Sequence, residues 1–257
     1  MLPLTLVRQV SFFSIAVVAV ACGHIPDANA QGIPGQEEAE NMQLVGYNDL
    51  QGRSAYQPII QQQGDRWYAY IGHHSGIAQN PLAGREEGNG TSIVDVTDPA
   101  NPEYVFHIPG NQAMGEDSEA QMVRTCAGSD LPNGQNGSYY LLRAVGRWGH
   151  QVWDVSDPSS PELVSSMEEE GLRDTHKNWW ECDTGIAYLV SGREGWATRR
   201  MTQVYDLSDP ASPRFIRDFG LPGQQPGAPN HDEMGGYDLH GPMAIGNRIY
   251  FGYGTFI

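Results

Sequence analysis

Lysine is nearly absent from this sequence, and basic residues are few. The 257 residues include one lysine, Lys177, and 15 Lys and Arg residues in all stand against 31 Asp and Glu residues, giving a formal net charge of −16. Proteins that bind nucleic acid or anionic membranes neutralise phosphates with clustered basic side chains. The scattered arginines of this acidic chain therefore predict that nucleic acid is not a partner.

Several catalytic motifs are also missing. The sequence has no Gly-x-Ser-x-Gly elbow, no phosphate-binding loop with lysine, no Cys-x-x-Cys pair and no His-Glu-x-x-His helix. Serine hydrolysis, nucleotide hydrolysis and thiol redox chemistry therefore have no support from motifs. With 31 Gly, 17 Pro and 39% apolar residues, the chain has too many turn-forming residues for long helices but is too apolar for a disordered protein.

An apolar run lies near the amino terminus. Residues 1–30 have the pattern of an export signal peptide, because Arg8 precedes an apolar run over 10–21 and Ala28-Asn29-Ala30 offers a cleavage site. This run is too short to span a bilayer, so we expect no transmembrane segment once the leader is removed. Residues 31–41 are interpreted as a flexible linker.

The cysteines bear on the form and compartment of the exported protein. Cys22 follows Ala19-Val20-Ala21 as in a lipid-anchor site, but the first position lacks the usual Leu, and we favour the soluble form. Either form places the chain in the periplasm, on the cell surface or outside the cell, where disulfides form. Cys126 and Cys182 occupy matching places in successive repeats, which predicts a disulfide; two buried free thiols are the alternative.

One phrase occurs three times in the chain. IVDVTDPANP at 93–102, VWDVSDPSSP at 152–161 and VYDLSDPASP at 204–213 share the pattern apolar-apolar-Asp-apolar-Ser/Thr-Asp-Pro-x-x-Pro. The Asp side chains can cap a turn, and Pro presets its backbone. Each phrase therefore predicts a hairpin between two strands, and the phrases begin 59 and 52 residues apart.

Further predicted strands recur upstream of each phrase. A strand that runs into Gly comes first, and a shorter strand precedes it, so each unit consists of four consecutive antiparallel strands without a helix. The strands that end in Gly are predicted at 67–72, 139–146, 186–192 and 248–254, and the shorter ones at 55–60, 120–126, 178–182 and 242–245.

The repeat favours a β-propeller over a β-sandwich, because a sandwich does not repeat one phrase at one place. We therefore predict an all-β fold over residues 42–257, a partial β-propeller of four-stranded antiparallel blades. It comprises about three and a half blades and a lone strand at 42–47. Since a closed ring needs about four to eight blades, we expect this chain to be the front part of a longer protein, truncated at its carboxyl end.

The phrases, with their flanking residues SIVDVTDPANP, QVWDVSDPSSP and QVYDLSDPASP, resemble the LVIVD repeat. That family consists of predicted β-propellers on or outside bacterial and archaeal cells, so the resemblance implies an exported bacterial β-propeller. It covers essentially all of residues 42–257. It implies no particular activity, because propellers serve as hydrolases, lyases, oxidases and binding platforms.

Acidic and imidazole side chains gather just before the innermost predicted strands. The candidate metal ligands are Glu119, Asp174, His176, Asp238 and His240. Such groups from adjacent blades would meet at the mouth of the central channel and would suit a divalent metal. Asp174 and Asp238 would then act as ligands or would orient the imidazoles. Bracing of the blades and binding of an organic ligand are the alternatives.

A second set of candidates lies mostly after the strands that end in Gly. Basic and aromatic residues recur at one loop position there, as in a face that binds an acidic or sugar-like ligand, although Trp and Arg also pack between blades. Long loops at 76–90 and 220–236 accompany them. The candidate ligand-binding residues are Arg53, His73, His74, Arg147, Trp148, Arg193 and Trp196.

Two functions are consistent with these features. We prefer a non-catalytic, exported or cell-surface binding module for a protein or glycan partner, because the repeats carry no catalytic motif. The alternative is a metal-dependent propeller enzyme of the oxidase or hydrolase type, with His and carboxylate ligands at the channel mouth. The divalent metal of this alternative is the one cofactor for which the sequence offers candidate ligands.

Overall fold

The described part of the chain is built of strands and short 3-10 turns. The computed structural model describes residues 42–110 and 119–254, and the predicted leader over 1–30 and linker over 31–41 lie outside them. The chain divides into two compact parts, Met1–Leu44 and Val45–Ile257, and the fold described below is that of the second. None of the described helical segments is long and apolar enough to cross a membrane.

The strands form three repeating units, each with four main strands, and a final pair. Units 1 and 3 also carry additional short strands. Unit 1 contains β1 (Tyr56–Gln63), β2 (Arg66–Gly72), the inserted hairpin β3 (Ile77–Asn80) and β4 (Arg85–Gly88), β5 (Thr91–Asp95) and β6 (Glu103–Ile108). Unit 2 contains β7 (Val123–Ala127), β8 (Tyr139–Val145), β9 (Gly149–Asp154) and β10 (Glu162–Glu168). Unit 3 contains β11 (Leu172–Arg173), β12 (Asn178–Trp180), β13 (Ile186–Arg193), β14 (Met201–Asp206) and β15 (Arg214–Phe219). The final pair is β16 (Leu239–Ile245) and β17 (Arg248–Tyr253).

Each unit is an antiparallel sheet whose strands follow chain order. The orders are β1-β2-β5-β6, β7-β8-β9-β10 and β12-β13-β14-β15, with β11 also paired to β13, and β16 pairs with β17. The first strands β1, β7, β12 and β16 lie beside one another in succession and are therefore innermost. These sheets are blades of a β-propeller. The predicted all-β propeller, with about three and a half blades, is confirmed.

Apolar packing joins consecutive blades. Tyr70 of blade 1 shares a buried cluster with Leu141 of blade 2, and Leu142 of blade 2 shares another with Leu189 of blade 3. Facing sheets bury the alternate side chains of their strands against each other, and each large apolar side chain buried in this way contributes roughly 1.5–3 kcal/mol. A blade is thus stabilised by its neighbours as much as by its own strands.

The repeated phrases form the turns between the third and fourth strands of each blade, as predicted. The side chains of Asp95, Asp154 and Asp206 each accept a hydrogen bond from the backbone N–H two residues later, at 2.9, 2.8 and 2.9 Å. The second Asp of each phrase caps the next turn in the same way, at 3.0, 2.9 and 3.0 Å. These local hydrogen bonds explain why each phrase carries two Asp residues around its turn.

The two ends of the blades differ in content. One end, which we call the turn face, holds the repeated turns and the hairpins between first and second strands. The other end, the mouth face, holds the starts of the innermost strands, near Tyr56, Glu119, Asp174 and Asp238, and the loops after the second strands. Both sets of predicted site residues therefore belong to the mouth-face end of the blades.

The predicted disulfide lies at the end of the blades near the turn face. Cys126 in β7 is bonded to Cys182, which follows β12, and their Cα atoms are 5.6 Å apart. The bond therefore joins the innermost parts of blades 2 and 3. Because it links residues far apart in the chain, it restricts the unfolded ensemble as well as the folded one.

Two local expectations were wrong. Residues 42–47 form no strand, and the stretch 76–90, expected to be loop, contains the β3–β4 hairpin. The buried Arg53 fixes this hairpin by donating to the carbonyls of Glu87 and Ala78 at 3.2 and 3.1 Å. The hairpin was not recognised because its strands, IAQN and REEG, carry almost none of the apolar alternation that marks a half-buried strand.

Candidate functional site

The innermost strands are interrupted where they begin at the mouth face. In blade 3, β11 and β12 both pair with β13, and residues 174–177 separate them. Asp174 has φ 52° there, a left-handed conformation that few non-glycine residues adopt. In the final pair, which forms the first half of blade 4, the pairing of β16 with β17 shifts register between Leu239 and Gly241. Such irregularities redirect side chains at the ends of sheets, and here they fall at His176 and His240.

Side chains from blades 1, 3 and 4 meet at this end of the molecule. The ring centroids of His176 and His240 are 5.2 Å apart, and those of Tyr56 and His74 are 4.8 Å apart. The Nζ atom of Lys177 lies 5.2 Å from the centroid of the Tyr56 ring. We call these five residues, Tyr56, His74, His176, Lys177 and His240, the mouth cluster.

Lys177 contributes the ammonium group of the mouth cluster. The residue is 7% exposed, whereas lysine is almost never fully buried unless it is paired. Within the described residues, no carboxylate lies within 4.0 Å of its ammonium group. Its contact with the Tyr56 ring is worth about 0.5–2 kcal/mol, depending on solvent exposure. The Lys177 side chain is thus largely covered, and its ammonium group lacks a counter-ion among these residues.

Two nearby carboxylates have other partners. Asp238 accepts hydrogen bonds from the backbone N and the Nε of Arg199, at 2.8 and 3.1 Å. Glu119 accepts hydrogen bonds from Ser75 Oγ and Gln121 Nε2, at 3.1 and 2.6 Å. Across residues 42–110 and 119–254, no three His, Cys, Asp or Glu side chains are placed to hold one metal ion. The geometry thus gives the predicted metal site no support, and it stays a prediction.

Arg200 lies beside the mouth cluster. Its Nε donates to the backbone carbonyl of Asp174 at 3.2 Å, and the carboxylates of Asp174, Asp238 and Glu119 all act on its charge. Burial nevertheless lowers the pKa of Arg200 below its ordinary value. The three carboxylates of the predicted metal set therefore stabilise the guanidinium of Arg200, and they leave the ammonium of Lys177 without a partner.

Desolvation keeps two imidazoles of the mouth cluster uncharged near neutral pH. It lowers the pKa of His176 to about 3, and Arg200, His240 and Lys177 act in the same direction. The pKa of His240 is lowered by partial burial first and then by Lys177 and Arg200. His176 Nδ1 is buried and has no hydrogen-bond partner among the described residues. The two rings thus offer neutral donors and acceptors beside the ammonium group.

Two of the predicted ligand-binding residues, Arg53 and His73, lie in the interior. His73 is 0% exposed, and its ring nitrogens bond to the Ser54 carbonyl at 2.5 Å and the Ser92 hydroxyl at 2.6 Å. Burial lowers the pKa of His73 to about 4. Arg53, besides holding the β3–β4 hairpin, donates to Asn89 Oδ1 at 2.6 Å. Both side chains are buried and brace blade 1.

The remaining loop residues differ in their exposure. Arg147 and Trp148 are exposed in the turn between β8 and β9. Arg193 forms an ion pair with Glu169 at 2.8 Å, and the ring of Trp196 packs against a glycine of the following long loop. Arg147, Trp148 and His74 are therefore the exposed members of the predicted set, whereas Arg193 and Trp196 are half-buried and contact other segments of the chain.

Three important residues of this region, Tyr56, Lys177 and Arg200, were not recognised from the sequence as site residues. Lys177 had a usable signal, because the one lysine of an acidic chain directly follows a predicted site histidine. No sequence signal marked Tyr56 or Arg200. Tyr56 reaches the mouth face from a strand start in blade 1, and Arg200 reaches it from a loop in blade 3.

Comparison with known proteins agrees with the repeat. Residues 145–169, which include β9, the second phrase and β10, match the family model of the LVIVD repeat. None of the curated proteins compared with the chain matches it. Among solved structures, the chain is similar to a β-1,2-mannobiose phosphorylase from Listeria innocua, in complex with β-1,2-mannobiose. The identity is 15% and the TM-score 0.40, over 78% of this chain and 54% of that one. The chain spans about half the length of that structure, and we draw nothing about function from so distant a likeness.

Proposed function

We propose that this chain, whose propeller blades carry the LVIVD repeat, is an exported or cell-surface binding module that holds a glycan at its mouth face. The observation that supports the proposal is the mouth cluster, in which three blades bring a tyrosine ring, imidazoles and an ammonium group to one place. Ligand sites typically combine ring surfaces with a few convergent polar groups. This combination suits a ring-shaped, hydroxyl-bearing ligand.

A glycan fits the surface better than a protein partner does. Docking of a protein calls for a contiguous patch with an apolar centre. The exposed large apolar side chains include Leu163, Phe215 and Ile216, which lie on the outermost strands and away from the mouth cluster. The mouth cluster itself is small and polar, as a sugar-binding site would be.

Export is part of the proposal. It is supported by the predicted leader at residues 1–30 and by the Cys126–Cys182 disulfide, because such bonds persist in oxidising compartments. The alternative, a metal-dependent enzyme, is not favoured, since the described His and carboxylate side chains do not converge on one point.

A glycan array tests the proposal. The purified chain is compared with a mouth variant, Tyr56→Ala combined with His240→Ala, and with Asp65→Ala, an exposed substitution in the β1–β2 hairpin at the turn face. We expect wild type and Asp65→Ala to retain the same glycans, and the mouth variant to bind at least ten-fold more weakly while its melting temperature shows that it folds. Retention of no glycan by wild type, or equal retention by the mouth variant, would overturn the proposal.

A further inference from the structure

We infer that the glycan held at the mouth face carries a carboxylate, as a uronic acid does, and that Lys177 is the residue that binds this group. The inference rests on the proposed function, because it names the class of sugar that the mouth cluster takes. Its basis is that the Lys177 side chain is largely covered by protein while its ammonium group has no anionic partner within residues 42–110 and 119–254.

The side chain of Lys177 is largely covered by protein, and its ammonium group has no anionic partner among the described residues. The residue is 7% exposed. Its ammonium nitrogen lies 5.2 Å from the centroid of the Tyr56 ring, its methylene groups lie beside Gly241, and its charge acts on His176 and His240. An ion pair with a ligand carboxylate would supply the missing charge.

The nearby carboxylates of the described residues do not fill this role. Asp238 is engaged by Arg199, and Glu119 is engaged by Ser75 and Gln121. The main chain at Lys177 is held in place, since its carbonyl accepts the Val190 N–H at 2.8 Å. The ammonium is thus carried on a fixed segment at the mouth face, where a ligand group can reach it.

The neighbours of Lys177 suit the rest of an acidic sugar. The paired rings of Tyr56 and His74 present an aromatic edge beside the ammonium. His176 Nδ1 is buried without a partner among the described residues, and a sugar hydroxyl would satisfy it, since hydroxyls both donate and accept. A uronate therefore uses the charge and the polar nitrogen together, whereas a neutral sugar leaves the charge unmatched.

The test measures discrimination between paired sugars. Uronate oligosaccharides are compared with their carboxyl-reduced counterparts, which are neutral but otherwise alike, by calorimetry on wild type, Lys177→Met and Lys177→Arg. A hydrogen bond to a charged group corresponds to about ten-fold or more in affinity. We expect wild type to prefer the acidic member of a pair by at least that factor, Lys177→Met to lose the preference and Lys177→Arg to keep much of it.

Thermal stability separates a binding role from a structural one. Lys177→Met keeps a covered aliphatic side chain and removes a charge that has no ion pair among the described residues, so its melting temperature should stay close to that of wild type. The matched control is Arg143→Met, because Arg143 is also buried but donates to the carbonyls of Ile108 and Pro109 at 3.0 and 2.9 Å and to the side chain of Gln151 at 3.0 Å. That variant should melt at a lower temperature.

The outcomes distinguish this inference from the proposed function. If neither member of any pair binds, both fail. If neutral and acidic members bind equally, or if Lys177→Met keeps the preference or is destabilised like Arg143→Met, the role of Lys177 is refuted while the binding module stands. If poly-glutamate binds as tightly as the uronates and also depends on Lys177, the ligand is an acidic peptide and the assignment to a sugar is wrong.

Discussion

Acidification from pH 7 to pH 5 should destabilise this protein through its buried imidazoles, and His150 gives the clearest test. His150 lies in β9 and is 1% exposed. Its Nε2 lies 3.4 Å from the carbonyl oxygen of Lys177, to which a neutral ring donates. Burial lowers the pKa of His150 to about 3, because the charged ring would lose its hydration in the interior.

The sign and size of the effect follow from proton linkage. An unfolded histidine takes up a proton near pH 6.5, whereas the folded His150 does so only near pH 3, so the unfolded state gains protons first as the pH falls. Between pH 6.5 and pH 5 each pH unit corresponds to about 1.4 kcal/mol, so this one ring should lower the free energy of unfolding by about 2 kcal/mol. His73 and His107, with pKa values lowered to about 4 and about 3 by burial, act in the same direction.

Urea unfolding between pH 7 and pH 5 measures this effect. His150→Gln places an amide donor where Nε2 lies but cannot titrate, so its free energy of unfolding should fall by about 2 kcal/mol less than that of wild type over this range. His74→Gln, which replaces an exposed ring, serves as the control and should follow wild type. Parallel curves for wild type and His150→Gln would refute the reasoning.

Two further predictions concern stability. Reduction of the Cys126–Cys182 disulfide, which closes a sequence separation of 56 residues, should lower the free energy of unfolding by about 4 kcal/mol in the chain-entropy model. Urea curves with and without reductant measure this, and a loss below about 1 kcal/mol would contradict it. Gly72→Ala should cost about 1–3 kcal/mol, because its new Cβ would lie 2.2 Å from the Ala120 carbonyl. Gly252→Ala meets nothing within 4 Å and should stay within about 0.5 kcal/mol of wild type; equal effects of the two changes would contradict the steric argument.

The blade architecture could be predicted from the sequence because it depends on local interactions. The turn phrases at 93–102, 152–161 and 204–213 recur as three hairpins, since each Asp bonds to a backbone N–H only two residues away. The disulfide followed from the repeat in the same way, because matching positions in adjacent blades are neighbours in space. Both features need only short-range chemistry and the repeat period.

The candidate site was harder to predict because it depends on how deeply each side chain is buried and on contacts between blades. Arg53 and His73 are of residue types that often bind ligands, but Arg53 is buried beneath the β3–β4 hairpin and His73 is buried in blade 1. The residue types alone do not reveal this burial. Lys177 meets Tyr56 only because the interrupted start of an innermost strand redirects it. Such irregularities break the period-two pattern on which strand prediction relies.

The separation of the two faces has a consequence for how such a protein can diversify. The hydrogen bonds that close the repeated turns lie at the turn face, so loops at the opposite end can be exchanged without altering those turns. The chain already contains a long and a short loop at this position. Residues 73–90 connect β2 to β5 in blade 1, whereas residues 146–148 make the equivalent connection from β8 to β9 in blade 2. A lineage of such propellers could therefore change the surface of its mouth face by loop replacement while it conserves the turns.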